Sequence, residues 1–173
     1  GITWDRDTLA RLAEIAAAHN ILVVSDEIHC DMPLYGHTHT PFAMASDTAA
    51  HCSITFGAPS KTFNIAGIVS SYSIIPDKAI REKFYSWLAA NEFDMATIFA
   101  MTATEAAFTH GEEWRRQMLR YIEGNIDFVA DYLEKYIPQV RAVKPQASYL
   151  VWLDFSRLGL EHEALADMII NKA

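Results

Sequence analysis

Two residues in this sequence stand where an amine and a carboxylate could act on one ligand. Lys61 closes the loop Gly57-Ala58-Pro59-Ser60-Lys61, at the end of a short predicted strand. Most lysines keep the ammonium in water. One placed beside a buried crevice gives up its proton more readily, and a neutral amine condenses with an aldehyde. The plainer alternative is a lysine that snorkels from a strand end. Asp26, followed by Glu27, ends an earlier apolar run. A carboxylate there could hold the proton on a pyridine-type ring nitrogen, or it could simply cap a loop or helix, as Glu27 could. His29, Cys30, Asp31, His37 and His39 carry donor atoms suited to zinc. Pro33, Gly36 and Pro41 make their spacing irregular, however, and no helical His-x-x-x-His occurs, so no metal site is expected.

The elements that must position these residues can be read from apolar spacing. Asp5 suits an N-cap, and Leu9, Leu12, Ala13, Ala16 and Ala17 form an amphipathic stripe, predicting a helix from about Arg6 to His19 that stops at Asn20. Residues 21–25 are apolar and β-branched, the composition of a strand buried on both faces of a parallel sheet. A turn-rich loop, residues 33–41, leads to a second strand near residues 53–56. Asp26 and Lys61 thus both fall at carboxyl ends of strands, where open α/β sheets bind ligands. A third strand is predicted at 69–75, stopped by Pro76, with a helix at 77–90. This alternation indicates a layered α/β domain. Helices follow at 96–108 and 112–136, then short strands at 140–143 and 148–153 and a helix at 161–171. Trp87, Trp114, Phe84 and Phe108 fit helical core or subunit contacts. Tyr149 and Trp152 fit the core of a second, incomplete unit.

Composition narrows the partners. With 14 Lys plus Arg against 22 Asp plus Glu the net charge is −8, and the basic residues are scattered, which argues against nucleic acid or an anionic membrane. No apolar run approaches the roughly 20 residues of a membrane span. Cys30 and Cys52 are too few for a disulfide framework, so reduced thiols are expected. No basic-then-apolar leader opens the sequence, which makes the cytoplasm the expected compartment.

Longer strings carry a resemblance. Val24-Ser25-Asp26-Glu27-Ile28-His29-Cys30-Asp31, His39-Thr40-Pro41-Phe42 and Ala58-Pro59-Ser60-Lys61-Thr62-Phe63-Asn64-Ile65-Ala66-Gly67 resemble the aspartate-aminotransferase-like superfamily of pyridoxal-phosphate (PLP) enzymes. Within it the match is nearest to the cystathionine β-lyase or cysteine-S-conjugate β-lyase branch. Thr102-Ala103-Thr104-Glu105, Gly111-Glu112-Glu113-Trp114 and Ala147-Ser148-Tyr149-Leu150-Val151-Trp152-Leu153-Asp154 extend the similarity through practically the whole chain. The resemblance implies an α/β fold: part of a three-layer PLP-binding large domain (1–125), then a linking helix and the start of a smaller α+β domain (126–173). It implies PLP as cofactor and Lys61 as the Schiff-base lysine and mover of the substrate Cα proton. Asp26 would pair with the ring nitrogen, and Ile28 would pack on one ring face. His29 falls where many relatives place a tyrosine that hydrogen-bonds the ring's phenolic oxygen, and Ser60 offers a hydroxyl. The places of a phosphate-binding serine and arginine in many relatives are here Ala58 and Val69, a departure that fits the lyase branch better than a transaminase.

The implied activity is a C–S β-lyase that cleaves cystathionine or a related cysteine thioether to a thiol, pyruvate and ammonia. A class I/II aminotransferase is one alternative, and a non-catalytic partner-binding protein on the same fold is another. About half of such an enzyme would lie outside these residues, including the phosphate-binding glycine loop and the arginine that grips the substrate carboxylate, so this stretch alone is expected to be inactive. A homodimer is expected, involving residues 91–102.

Overall fold

A computed structural model describes residues 1–172. Helix α1 (Arg6–Ala18) begins where the Asp5 carboxylate accepts from the Thr8 N–H at 2.8 Å and the Thr8 hydroxyl at 2.7 Å, pairing a donor that a helix start leaves open. It stops because Asn20 turns left-handed, with φ 54°. The N–H groups of Asn20 and Ile21 then return to the carbonyls of Ala17 and Ala16, a closure that asparagine tolerates well. The chain is thereby delivered into β1 (Val23–Asp26).

A Phe42–Met44 3-10 turn and a short helix, α2 (Asp47–His51), follow the turn-rich loop. Neither was expected from the sequence, because five residues are too few to display a helical period. Leu9 and Ala13 of α1 pack with Phe42, Ala45 and Ala49 to form the main core cluster. That core anchors the segment joining β1 to β2 (Ser53–Gly57).

Strands β1 and β2 pair in parallel, in register from Val23 opposite Ser53 to Asp26 opposite Phe56. Strand β3 (Tyr72–Ile74) runs antiparallel to β2, giving the order β1-β2-β3. The expectation that the first strand is buried on both faces is corrected: Val24 is 61% exposed, and Ile21 and Leu22 are exposed too. Among the described residues β1 has a strand partner on one side only, so its far edge and one face lack cover. The third strand is also shorter than expected. Ala66–Ile68 forms a 3-10 turn, and Val69 lies at φ 54°, ψ 63°, a left-handed conformation that cannot join a ladder and is unusual for a β-branched residue.

Gly57 ends β2 under the ring of Tyr72, where an added Cβ would sit 2.5 Å from Tyr72 Cζ and Oη. Only hydrogen fits there. Gly57→Ala is expected to lower stability by about 1–3 kcal/mol through overpacking, seen as a lower urea midpoint at unchanged slope.

Helix α3 (Lys78–Ala90) starts at Asp77, whose carboxylate accepts from the Ile80 N–H at 2.9 Å. Helices α4 (Ile98–His110) and α5 (Glu112–Tyr136) follow, and α5 runs without a break across the expected boundary at residue 125. Phe84 meets Phe56 edge-on at 5.8 Å, while Phe108 and Trp114 lie 5.8 and 5.9 Å from Phe63. These aromatics tie the helices to β2 and to the turn after it. Trp87 is exposed beside Phe93.

Strands β4 (Arg141–Val143) and β5 (Trp152–Asp154) make an antiparallel pair, followed by α6 (His162–Asn171). The strand expected at 148–153 cannot begin at Ser148, which takes φ 73°. Tyr149 and Trp152 are not core residues as expected, being 42% and 75% exposed. Two strands and one helix offer too little surface to enclose them. The architecture is α/β, and no helix among the described residues is long and apolar enough to cross a membrane.

Candidate active site

The parallel pairing of β1 and β2 brings Asp26 and the loop bearing Lys61 to the same, carboxyl edge of the sheet. The ladder extends one bond further, as the Glu27 N–H donates to Phe56 O at 2.8 Å. Asp26 Oδ1 accepts from the Ile28 N–H at 3.3 Å, which shapes the turn holding Ile28 and His29. Asp26 is exposed, and Ile28 and His29 are half-buried.

Lys61 sits in a chain of turns after β2. The Phe63 N–H donates to Pro59 O at 2.9 Å and the Ile65 N–H to Ser60 O at 3.0 Å. Pro59 and Thr62 are fully buried on either side, with the Thr62 hydroxyl donating to Asp31 Oδ2 at 3.4 Å. The loop is pinned while Lys61 itself projects into solvent, so the crevice expected around this lysine is not built by these residues. Ser60 is half-buried.

His29 registers both charges. Burial holds its pKa below the usual histidine value, the Lys61 ammonium pushes in the same direction, and the Asp26 carboxylate opposes them. Asp26 and Lys61 therefore each lie within electrostatic reach of His29. A cleft of about 710 Å³ at this edge is lined by Asp26, His29, His39 and Ser148, with Lys61 outside its lining. A larger apolar groove of about 930 Å³ lies at the opposite, amino end of the strands, between the end of α1, α2 and α3, away from this chemistry.

Glu27 was read from sequence only as a possible cap, but it organises the loop beyond β1. Its buried carboxylate accepts from Ser25 Oγ at 2.9 Å and the Phe42 N–H at 2.9 Å, and lies 2.8 Å from His39 Nε2. Burial raises its pKa, yet the bonds from His39, Phe42 and Ser25 outweigh that and hold it below the usual glutamate value. A carboxylate with a depressed folded-state pKa contributes stability that is complete above the unfolded value of 4.5 and is lost as pH falls through the folded value. Glu27→Ala is expected to cost about 1–3 kcal/mol by leaving the buried Phe42 N–H unpaired, and to flatten the acid limb of a plot of melting temperature against pH.

The other candidate metal donors are engaged elsewhere: His39 with Glu27, His29 with Ser148 at 3.1 Å, and Asp31 with Thr62. Among the described residues no three His, Cys, Asp or Glu side chains gather for a metal ion. Cys30 and Cys52 are unpaired, and burial together with the nearby Asp31 and Glu27 pushes the Cys30 thiol up to about 11, too high for a reactive thiolate. Tyr72 is pushed up to about 12 by burial and by the acidic neighbours Cys30, Asp31 and Glu27. Sequence reasoning missed Ser148 and Tyr149, whose ring lies 5.5 Å from that of His29. Nothing in their local spacing could have signalled a contact made across so much intervening chain.

Comparison with known proteins places this geometry. The model of the family "Aminotransferase class I and II" matches residues 1–173. The chain is 46% identical over 172 residues to cystathionine beta-lyase PatB of Bacillus subtilis, covering 99% of this chain and 44% of that protein. It is 30% identical over 173 residues to protein MalY of Escherichia coli, again covering 99% and 44%. Cystalysin of Treponema denticola, whose crystal structure contains a pyridoxal 5'-phosphate cofactor, superposes with TM-score 0.93 at 34% identity, covering 99% of this chain and 44% of that one. The chain thus spans less than half the length of these relatives. By sequence along all its residues, and by a sheet that presents Asp26 and Lys61 at one edge, the chain belongs to the aminotransferase class I and II family.

Proposed function

We propose that this chain is the cofactor-binding centre of a PLP-dependent C–S β-lyase that converts cystathionine or a related cysteine thioether to a thiol, pyruvate and ammonia. The observation that carries the reading is the delivery of Asp26 and Lys61 from adjacent parallel strands to one sheet edge, in a chain 46% identical to a cystathionine beta-lyase. The donor set fits PLP: an amine for its aldehyde, a carboxylate for its ring nitrogen and an imidazole nearby for its phenolic oxygen. The phosphate end is less provided for, with buried Ala58 and exposed Val69 leaving the Ser60 hydroxyl as the polar group there.

Bound PLP supplies an aldehyde for covalent attachment and an electron sink for the charge left at Cα when its proton departs. The chain's own residues hold it and move protons. Lys61 Nζ would hold the group at its aldehyde and would remove the substrate Cα proton. The Asp26 carboxylate would accept the hydrogen bond from the ring N–H and keep that nitrogen protonated. Ile28 would pack on one ring face, and His29 would donate to the phenolic oxygen.

An aminotransferase would use the same residues and is favoured by the family's name, whereas Val69 in place of a phosphate-binding arginine favours the lyase. The test is incubation of the intact protein with cystathionine and no added keto acid. Pyruvate release is the expected result, and keto-acid-dependent amino transfer without it would overturn the lyase reading.

Within the same reading, residues 1–125 are part of the large domain, and 126–173 the linking helix and the start of the small one. Two unpaired cysteines suit the reducing cytoplasm. The protein acts on a small amino-acid substrate and binds neither nucleic acid nor membrane, in keeping with its net charge of −8. It is a homodimer through the segment around α4, where Met95 is 85% and Phe99 80% exposed alongside Phe93 and Ile98. Such an apolar patch requires cover. Phe99→Glu is expected to weaken self-association by about 2 kcal/mol or more, read as a shift toward the monomer mass in sedimentation equilibrium.

A further inference from the structure

Ser148 makes a contact that none of the roles above uses. It is buried and left-handed, with φ 73°, a conformation that L residues other than asparagine, aspartate and histidine seldom adopt. Several bonds hold it there. Its N–H donates to Met32 O at 2.8 Å, and Leu34 N–H to Gln146 O at 2.9 Å. Ala147 bridges to Pro33, and Gln146 Oε1 accepts from the Thr3 N–H at 2.9 Å. This clamp carries the Ser148 hydroxyl to 3.1 Å from His29 Nδ1.

The direction of that hydrogen bond follows from satisfaction. His29 Nδ1 is the only partner of Ser148 Oγ among the described residues, and a buried hydroxyl proton without an acceptor is costly. Were Nδ1 to carry hydrogen and donate, the serine proton would have no acceptor among the described residues. With Ser148 donating to Nδ1, both groups are paired and the imidazole proton resides on Nε2. Two charged side chains act on the ring: Lys61 from the turn after β2 and Asp26 from the end of β1. Together with burial they favour the neutral ring, which is the form that has a tautomer to choose.

We propose that Ser148 is a positioning residue that holds His29 as the Nε2–H tautomer, leaving Nε2 as the hydrogen-bond donor at this sheet edge. Resting on the function proposed above, the acceptor is the phenolic oxygen of PLP. Lys61 and Asp26 would hold the cofactor by its aldehyde and ring nitrogen, and Ser148, from a distant part of the chain, would ensure that the imidazole presents hydrogen and not a lone pair to the oxygen between them.

The test is nitrogen NMR of the intact protein labelled with ¹⁵N-histidine, with His29 assigned from the spectrum of His29→Gln. The wild type is expected to show a protonated Nε2 and an unprotonated Nδ1 at neutral pH. Ser148→Ala should give a mixed or Nδ1–H signal. Ser148→Gly should do the same and guards against misfolding, since φ 73° suits glycine. In the PLP-loaded protein, loss of a donor to the phenolic oxygen leaves more negative charge there and strengthens the hold on the neighbouring imine proton. The pH midpoint of the visible absorbance change should therefore rise by about one unit in both variants, the equivalent of one hydrogen bond. A wild-type Nδ1–H signal, or a tautomer unchanged in both variants, would overturn the proposal. So would variant absorbance titrations that superpose on the wild type's. Failure to take up PLP would refute the function proposed above, and the tautomer result would then decide this inference by itself.

Discussion

Lys61→Ala in the intact protein is expected to abolish the lysine adduct that borohydride traps and to cut turnover of cystathionine by about 10²- to 10⁴-fold, the range for loss of a positioned acid–base group. At 1.36 kcal/mol per tenfold, that is about 3–5 kcal/mol of transition-state stabilisation. Stability should hardly change, because Lys61 is exposed while the loop is pinned by Pro59, Thr62 and Phe63; exposed substitutions away from special features fall within about 0.5 kcal/mol. Borohydride reduction followed by peptide mapping should find the label on Lys61 in the wild type and nowhere in the variant. A label elsewhere in the wild type would falsify the assignment of Lys61. Biological activity that survives Lys61→Ala intact would instead favour a non-catalytic, partner-binding role for the fold.

Asp26→Asn is the second large effect. The amide keeps an oxygen to accept from the Ile28 N–H, now at 3.3 Å, so the turn bearing His29 should persist. It has no negative charge with which to hold a proton on the ring nitrogen, and the electron sink weakens at the step where charge accumulates. Turnover is expected to fall by about 10²- to 10³-fold, as when one preorganised electrostatic partner is removed, while the borohydride label on Lys61 is retained. Together the two variants separate the attachment of the cofactor from its activation. An Asp26→Asn enzyme with wild-type turnover would place the ring nitrogen elsewhere.

The acid-side loss of stability assigned to Glu27 has its origin close to this site. Glu27 follows Asp26 directly, and its bonds to Ser25, His39 and Phe42 tie the strand end to the core turn under α1. Protonating Glu27 loosens the support on which Asp26 stands. Gly57 supports the neighbouring strand end in another way, by letting the ring of Tyr72 close over it.

Much of this was legible locally. The cap at Asp5, the stop at Asn20 and the helical spacing of α3 and α5 are encoded within a few residues, so their elements lie within one or two positions of where the spacing predicts them. The same holds for Asp26 and Lys61 at strand ends. What failed was whatever depends on a neighbour remote in sequence: the exposure of Val24 and Trp152, the shortening of β3 at a left-handed Val69, and the helix α2 too short to have a period.

By itself the sequence determined the order of the strands and of the longer helices, the family and the two residues of opposite charge on which the proposed chemistry turns, because periodicity, capping and motif strings are properties of adjacent residues. Only the tertiary structure decided that Glu27 braces the loop through His39 and Phe42, and that Ser148 reaches His29 from the far part of the chain. Those contacts arise when backbone clamps close long loops, and no local pattern records which buried donor will find which acceptor.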